Sequence, residues 1–298
     1  MRRTLVPLLL AGSLVAALAE EPAVAPARLA LAVGDARRFE RVTTVAFDVE
    51  LREGALARRV RHRLELSATI ALVVSALEPL RCGLAVEGLT LGETLDRGEG
   101  AREARWSLPA GAAPLALEAE CDPRGRLVKL AGETLKAQAI ARGCPPELAL
   151  IPQLYAFGLE RNGRRADGPF LAPAPALRGD EAGPAWTCGV DLLYGTDGLL
   201  SELVGFHEAW TWTPRAAGPD TPPGALELQG ELSELKTVRF FHGPVLDVSQ
   251  VTSAGTARLE ATTGLPLACE QRQAFTITCP PRGLRGRIER QDRLSALR

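Results

Sequence analysis

RFERVTTVAFDVELREGALARRVRHRLELSATIALVV, residues 38–74, alternates with a period of two along almost its whole length. Phe39, Val45, Phe47, Val49 and Leu51 share one parity, and Arg38, Glu40, Thr44, Asp48 and Glu50 share the other. After Arg52-Glu53-Gly54 the pattern resumes with Leu56, Val60, Leu64, Leu66, Ile70, Leu72 and Val74, against Arg59, Arg61, Arg63, Glu65 and Thr69. Successive strand side chains point to opposite faces, so each segment is a strand with one dry and one wet face. That is the signature of antiparallel sheet, and the Gly-containing break makes the pair a hairpin.

The same grammar recurs along the chain. Strands are expected at Leu80–Val86, Leu115–Cys121 and Arg126–Leu130, the last two joined by the turn Asp122-Pro123-Arg124-Gly125. Further strands are expected from Trp186 to Tyr194, through Phe206, Trp210 and Trp212, and through Leu226, Leu228 and Leu232. Gly255 to Cys279 reads as a hairpin folded about Thr262-Thr263-Gly264. Between these β regions, Gly132–Ala141 and Pro146–Leu159 carry helix formers, and Pro169–Gly183 reads as a Pro/Ala-rich linker.

The two β regions read as copies of one unit. Gly34-Asp35 precedes the first long strand and Gly179-Asp180 precedes the strand at Trp186. Leu117-Glu118-Ala119 and Leu259-Glu260-Ala261 each lead into a turn. The fold expected is mainly β: two related antiparallel curved sheets or half-barrels with short helices between them. The expected organisation is a signal peptide over 1–19, a first β repeat over 20–131, and a helical and linker segment over 132–178. A second β repeat follows over 179–279, then a basic tail over 280–298.

A Gly-Asp before a long amphipathic strand, a Leu-x-Ala-Pro linker leading to Gly-Asp-x-x-x-x-x-Trp, and strands about a Thr-Gly-Leu-Pro turn together carry a resemblance. The chain resembles uncharacterised exported β-rich bacterial families, distantly similar in pattern to outer-membrane lipoprotein-carrier folds. What the resemblance implies is a curved antiparallel sheet wrapped around helices. It transfers no catalytic residue.

Arg2 and Arg3 precede an apolar run from Leu5 to Leu18, and Ala17-Leu18-Ala19 offers small residues before Glu20. This is the layout of a signal peptide, and the run is too short to span a bilayer. The mature product is expected in the periplasm or outside the cell, and not as an integral membrane protein. Without Arg2 and Arg3 the balance is 33 basic to 36 acidic residues, net −3. Nucleic-acid partners need a basic excess and are not expected. Six cysteines (Cys82, Cys121, Cys144, Cys188, Cys269 and Cys279) in an exported chain are disulfide candidates of open connectivity. With no CxxC pair and three histidines, neither zinc nor another metal is expected, and no cofactor is implied.

Catalytic motifs are absent: there is no Gly-x-Ser-x-Gly. His62 falls on the apolar parity, as a core or rim residue. His207 and Glu208 point to opposite faces of a strand, and His242 sits in a turn. Arg178-Gly179-Asp180 reads as turn chemistry more readily than as an adhesion tripeptide. The informative aromatics are Phe206, Trp210 and Trp212 on one face, with Trp186 and Tyr194 as neighbours. They either line an apolar cavity or form an ordinary core face. The function expected is that of a non-enzymatic, exported cell-envelope binding protein, carrying a lipid or other apolar ligand in a curved sheet. The alternative is a structural or partner-binding envelope protein, with a hydrolase as the third class.

Overall fold

The computed structural model describes residues 31–53, 56–121, 127–131, 133–150, 160–161, 164–165, 186–196, 200–216, 218, 221–238 and 246–297, with the backbone alone at 53, 56, 127, 130, 150, 160–161, 164–165, 186–196, 200–205 and 238. The strands are β1 (Ala36–Glu53), β2 (Leu56–Leu77), β3 (Leu80–Asp96), β4 (Ala101–Ser107), β5 (Leu115–Cys121), β6 (Leu127–Ala131), β7 (Glu160–Arg161), β8 (Arg164–Arg165), β9 (Trp186–Thr196), β10 (Leu200–Arg215), β11 (Ala225–Val238), β12 (Asp247–Glu260), β13 (Pro266–Cys279) and β14 (Leu284–Leu297). Among the described residues, helix α1 (Leu135–Ile140) and a 3₁₀ turn at Leu148–Leu150 lie between the two β regions.

All but the small β7–β8 ribbon belong to one antiparallel sheet. Its order is β6-β5-β3-β2-β1-β14-β13-β12-β11-β10-β9, with β4 also paired to β3. The two curved regions expected from the sequence are therefore joined edge to edge. The seam is β1 against β14, in register from Arg38 opposite Leu297 to Leu51 opposite Leu284. From β9 to β14 and on from β1 to β6, the chain advances across the sheet in one direction. The sheet does not close, because β6 and β9 are its two edges.

Residues 38–74 form the hairpin that their alternation dictates, with Phe47 opposite His62 and Glu53 opposite Leu56. The Thr262–Gly264 turn is also present, with Gly264 at φ 73° where a side chain would strain the backbone. Residues 280–298, expected as a basic tail, are mostly strand β14 at the centre of the sheet. Arg285, Arg287 and Arg293 are its wet face, and Leu284, Ile288 and Leu294 are its dry face. Of the Pro146–Leu159 helix, residues up to Leu150 are described and take only the 3₁₀ turn. Gly179, Asp180, Arg178 and His242 lie outside the described residues.

Disulfides do not form among the described residues. Cys82, Cys121, Cys144, Cys269 and Cys279 are buried thiols, and Cys188 falls where only the backbone is described. Cys269 and Cys279 cannot meet, because β13 runs unbroken between them and holds them about 33 Å apart if straight. Four of these thiols occupy dry-face positions, where they pack as small apolar side chains. Burial pushes the Cys82 thiol up to about 11, and burial with the nearby Glu147 charge does the same for Cys144.

The dry face covers itself by bending. Phe206 on β10 meets Phe275 on β13 at 5.1 Å between ring centroids, although β11 and β12 lie between their strands. Arg290 on β14 bonds Glu208 on β10 at 3.2 Å. Four strand spacings would separate those residues by about 19 Å in a flat sheet. In the other half, Leu135, Ala139, Leu148 and Ala149 of α1 and the 3₁₀ turn join the same core. Gln138 also seals an edge, accepting from Ala116 N at 2.9 Å and donating to Ala116 O at 2.7 Å where β5 has run past β6.

Candidate functional site

The second half of the dry face carries the aromatic stripe. Phe206, Trp210 and Trp212 alternate along β10 and are all buried. The two indoles stack at 6.1 Å and 26°. They lie over glycines: a Cβ at Gly230 would stand 2.6 Å from the Trp212 ring, and one at Gly255 would stand 3.1 Å from Trp210. Glycine at those positions lets a ring settle directly on the backbone of the neighbouring strands. Trp186 is paired with Trp212 and Tyr194 with Val204 in the β9–β10 ladder. The side chains of Trp186 and Tyr194 lie outside the described residues. Trp210 Nε1 is buried without a hydrogen-bond partner.

Interleaved with the stripe is a charged cluster. Asp292 on β14 is wholly buried and accepts four hydrogen bonds. Arg41 supplies two, Nε to Oδ1 at 3.1 Å and Nη2 to Oδ2 at 2.8 Å. Thr43 Oγ1 donates to Oδ1 at 2.8 Å, and Arg290 Nη2 to Oδ2 at 2.7 Å. Arg290 Nη1 reaches on to Glu208, which also accepts from Gln273 Nε2. Burial alone would push the Asp292 carboxyl up, but the charges of Arg41 and Arg290 and their hydrogen bonds hold it below the ordinary value. Among the described residues two arginines meet two carboxylates, and the cluster clasps β10 to the seam strands.

A second polar pair sits in the first half. His62 on β2 is buried, and its Nε2 meets Glu93 Oε1 at 2.8 Å. Phe47 stacks on the imidazole at 5.8 Å. Arg102 on β4 reaches Glu93 Oε2 at 3.4 Å, its own side chain being 61% exposed at the rim. The hydrogen bond from His62 lowers the Glu93 carboxyl further than burial raises it.

His62, Phe206, Trp210 and Trp212 thus occupy the dry face as their parity requires, and His207 and Glu208 part to opposite faces with only Glu208 buried. The sequence reading missed the partners Arg41, Thr43, Glu93, Gln273, Arg290 and Asp292. The available signal was a polar residue on an apolar parity: Arg41 and Thr43 between Phe39 and Val45, and Arg290 and Asp292 between Ile288 and Leu294. Glu93 gave the same signal, between Leu91 and Leu95, but on a parity offset from that of Leu80–Val86. A bulge at Glu87–Gly88 switches the dry parity of β3 from Leu80, Cys82, Leu84 and Val86 to Leu89, Leu91, Glu93 and Leu95.

Two shallow depressions mark the outer face. One of about 500 Å³ crosses the seam and is lined by Thr44, Arg63, Thr252, Arg272 and Glu289. The other, of about 420 Å³, is apolar and lies over Ala71, Val73, Gly83, Ala85 and Ala116. Among the described residues no group of three or more metal-ligating side chains occurs, and no helix is long and apolar enough to cross a membrane.

No protein-family model and no curated protein matches the sequence. Among solved structures, the chain is similar to lipovitellin, from a structure of its lipid–protein interactions, at a TM-score of 0.43 and 10% identity. That alignment covers 88% of this chain and 25% of lipovitellin, so the chain spans a quarter of that protein's length. A DUF1329 family protein from Desulfovibrio piger aligns at a TM-score of 0.12 and 10% identity, over 84% of this chain and 83% of that one. OpdQ of Pseudomonas aeruginosa aligns at 0.12 and 9%, over 88% and 98%.

Proposed function

We propose that this is a non-enzymatic, exported cell-envelope protein that holds a lipid or other apolar ligand against the dry face of its curved sheet. The observation that carries this reading is the single-layered architecture. The apolar face of the large sheet is covered, among the described residues, only by its own curvature and by α1 with the 3₁₀ turn. The sheet is not closed, β6 and β9 being its two edges. The leader-like segment from Arg2 to Ala19 supports export.

The test is native mass spectrometry of protein purified from its own host, together with titration of a fluorescent fatty acid. Co-purifying lipid and saturable binding support the carrier; neither lipid nor binding overturns it. A second reading, an envelope scaffold that binds a protein partner, is favoured by the indoles seated on Gly230 and Gly255, which fill the bend of the second half. On that reading, binding is absent and the protein cross-links to a neighbouring protein in intact cells.

A further inference from the structure

Resting on the apolar-ligand reading, we propose that His62 and Glu93 form a head-group subsite that takes the carboxylic acid of an alkyl-chain ligand. His62 Nδ1 is buried and has no hydrogen-bond partner, while Nε2 is committed to Glu93 at 2.8 Å. Buried ring nitrogens are ordinarily satisfied, so this one is set up to meet a group that arrives from outside the chain. Phe47 stacked on the ring and the Glu93 bond on its far nitrogen fix the imidazole's orientation.

The chemistry of that group follows from the proton count. With the proton of Nε2 directed at Glu93, a neutral ring offers a lone pair at Nδ1, whereas an imidazolium offers an N–H. A carboxyl group suits both forms: the acid donates to Nδ1, or the carboxylate accepts from it. The two arrangements differ only by one proton passing between oxygen and nitrogen, and no bond between heavy atoms changes. An alcohol also suits both forms but brings no charge, and a methyl ester can only accept, from the imidazolium. Charge selects in the same direction. Arg102 already offsets Glu93, so an imidazolium leaves the group with one net positive charge, to be matched by one carboxylate. The other charged residues of this strand stretch, Arg61 and Arg63, are on the outer face.

Position fits an amphiphile. Glu93 and His62 lie near the end of the β3–β4 hairpin, where Leu95 pairs with both His62 and the exposed Arg102. Inward along the same face come Leu64, Leu66 and Leu91, all apolar and buried. A head group held at His62 therefore stays near the rim, beside the apolar residues of the dry face.

The experiment compares oleic acid, oleyl alcohol and methyl oleate on the full chain and on His62→Phe, which keeps an aromatic ring and removes the nitrogen. Oleic acid should bind wild type about tenfold tighter than methyl oleate, the strength of one hydrogen bond to a charged group. His62→Phe should erase that preference and keep the methyl oleate affinity. Should His62→Phe not fold, ¹⁵N-histidine spectra of wild type give the answer, since the chain has only three histidines. The His62 Nδ1 resonance must shift with oleic acid and stay still with methyl oleate. Equal affinity of acid and ester, a preference that survives in His62→Phe, or a silent His62 resonance overturns the subsite and leaves the apolar-ligand reading standing. Binding of none of the three overturns both.

Discussion

The two halves of the sheet solve one problem by different means. Each has a long apolar face, and among the described residues no second large sheet packs on it. The half built from β1 to β6 is filled by Leu, Val and Ile side chains and plugged by α1 and the 3₁₀ turn, with His62–Glu93 as its buried polar pair. The half built from β9 to β14 bends until β10 meets β13 and β14. It then fastens that bend with Phe206–Phe275 and with the Arg41–Asp292–Arg290–Glu208 clasp. The lesson is that aliphatic packing tolerates a plug, whereas a tight bend needs directional contacts between strands that are not neighbours. Ion pairs cost desolvation when buried, so here they specify which strands meet more than they add stability.

The largest expected effect comes from breaking the clasp. Asp292→Asn leaves Arg41 and Arg290 short of countercharge and should cost about 3–5 kcal/mol, lowering Tm by about 10 °C in a thermal melt. The same group sets an acid limb. Its folded-state carboxyl lies below the unfolded value near 3.8, so its contribution is present above that pH and is lost as pH falls through the lower folded value. Wild type should therefore lose stability more steeply than Asp292→Asn as pH drops from about 5 to about 2, read by urea midpoints at each pH.

A glycine pair sharpens the contrast between halves. Gly230→Ala drives a methyl into the Trp212 ring and should cost about 1–3 kcal/mol, with changed indole fluorescence. On the plug side, Gln138→Ala removes a two-way bond to Ala116 and should cost about 1–2 kcal/mol, with faster amide exchange at Ala116. Smallest of all is Gly83→Ala, where the added methyl finds only Val73 O at 3.9 Å; its urea midpoint should stay within about 0.5 kcal/mol of wild type. Equal effects at Gly230 and Gly83 would mean that the second half is no more tightly bent than the first.

Much of this fold was legible residue by residue. Alternation in 38–74 is long enough to leave only one interpretation, and the turn at Thr262–Gly264 carries its own chemistry. β14 was not legible, because Gly286, Arg290 and Asp292 interrupt the apolar parity that Leu284, Ile288 and Leu294 establish. Arg290 and Asp292 are the clasp itself, and their partners stand 82 and 251 residues away in the chain. The cysteines misled for a related reason: export suggests disulfides, but dry-face parity alone accounts for Cys82, Cys121, Cys269 and Cys279 as core fillers.

The seam has a consequence for biogenesis. β1 acquires its second neighbour only when residues 284–297 exist, although its first neighbour, β2, follows at once. Contacts of such long sequence separation assemble late and slowly. The nascent chain therefore carries β1 with one open edge until residues 284–297 have been made.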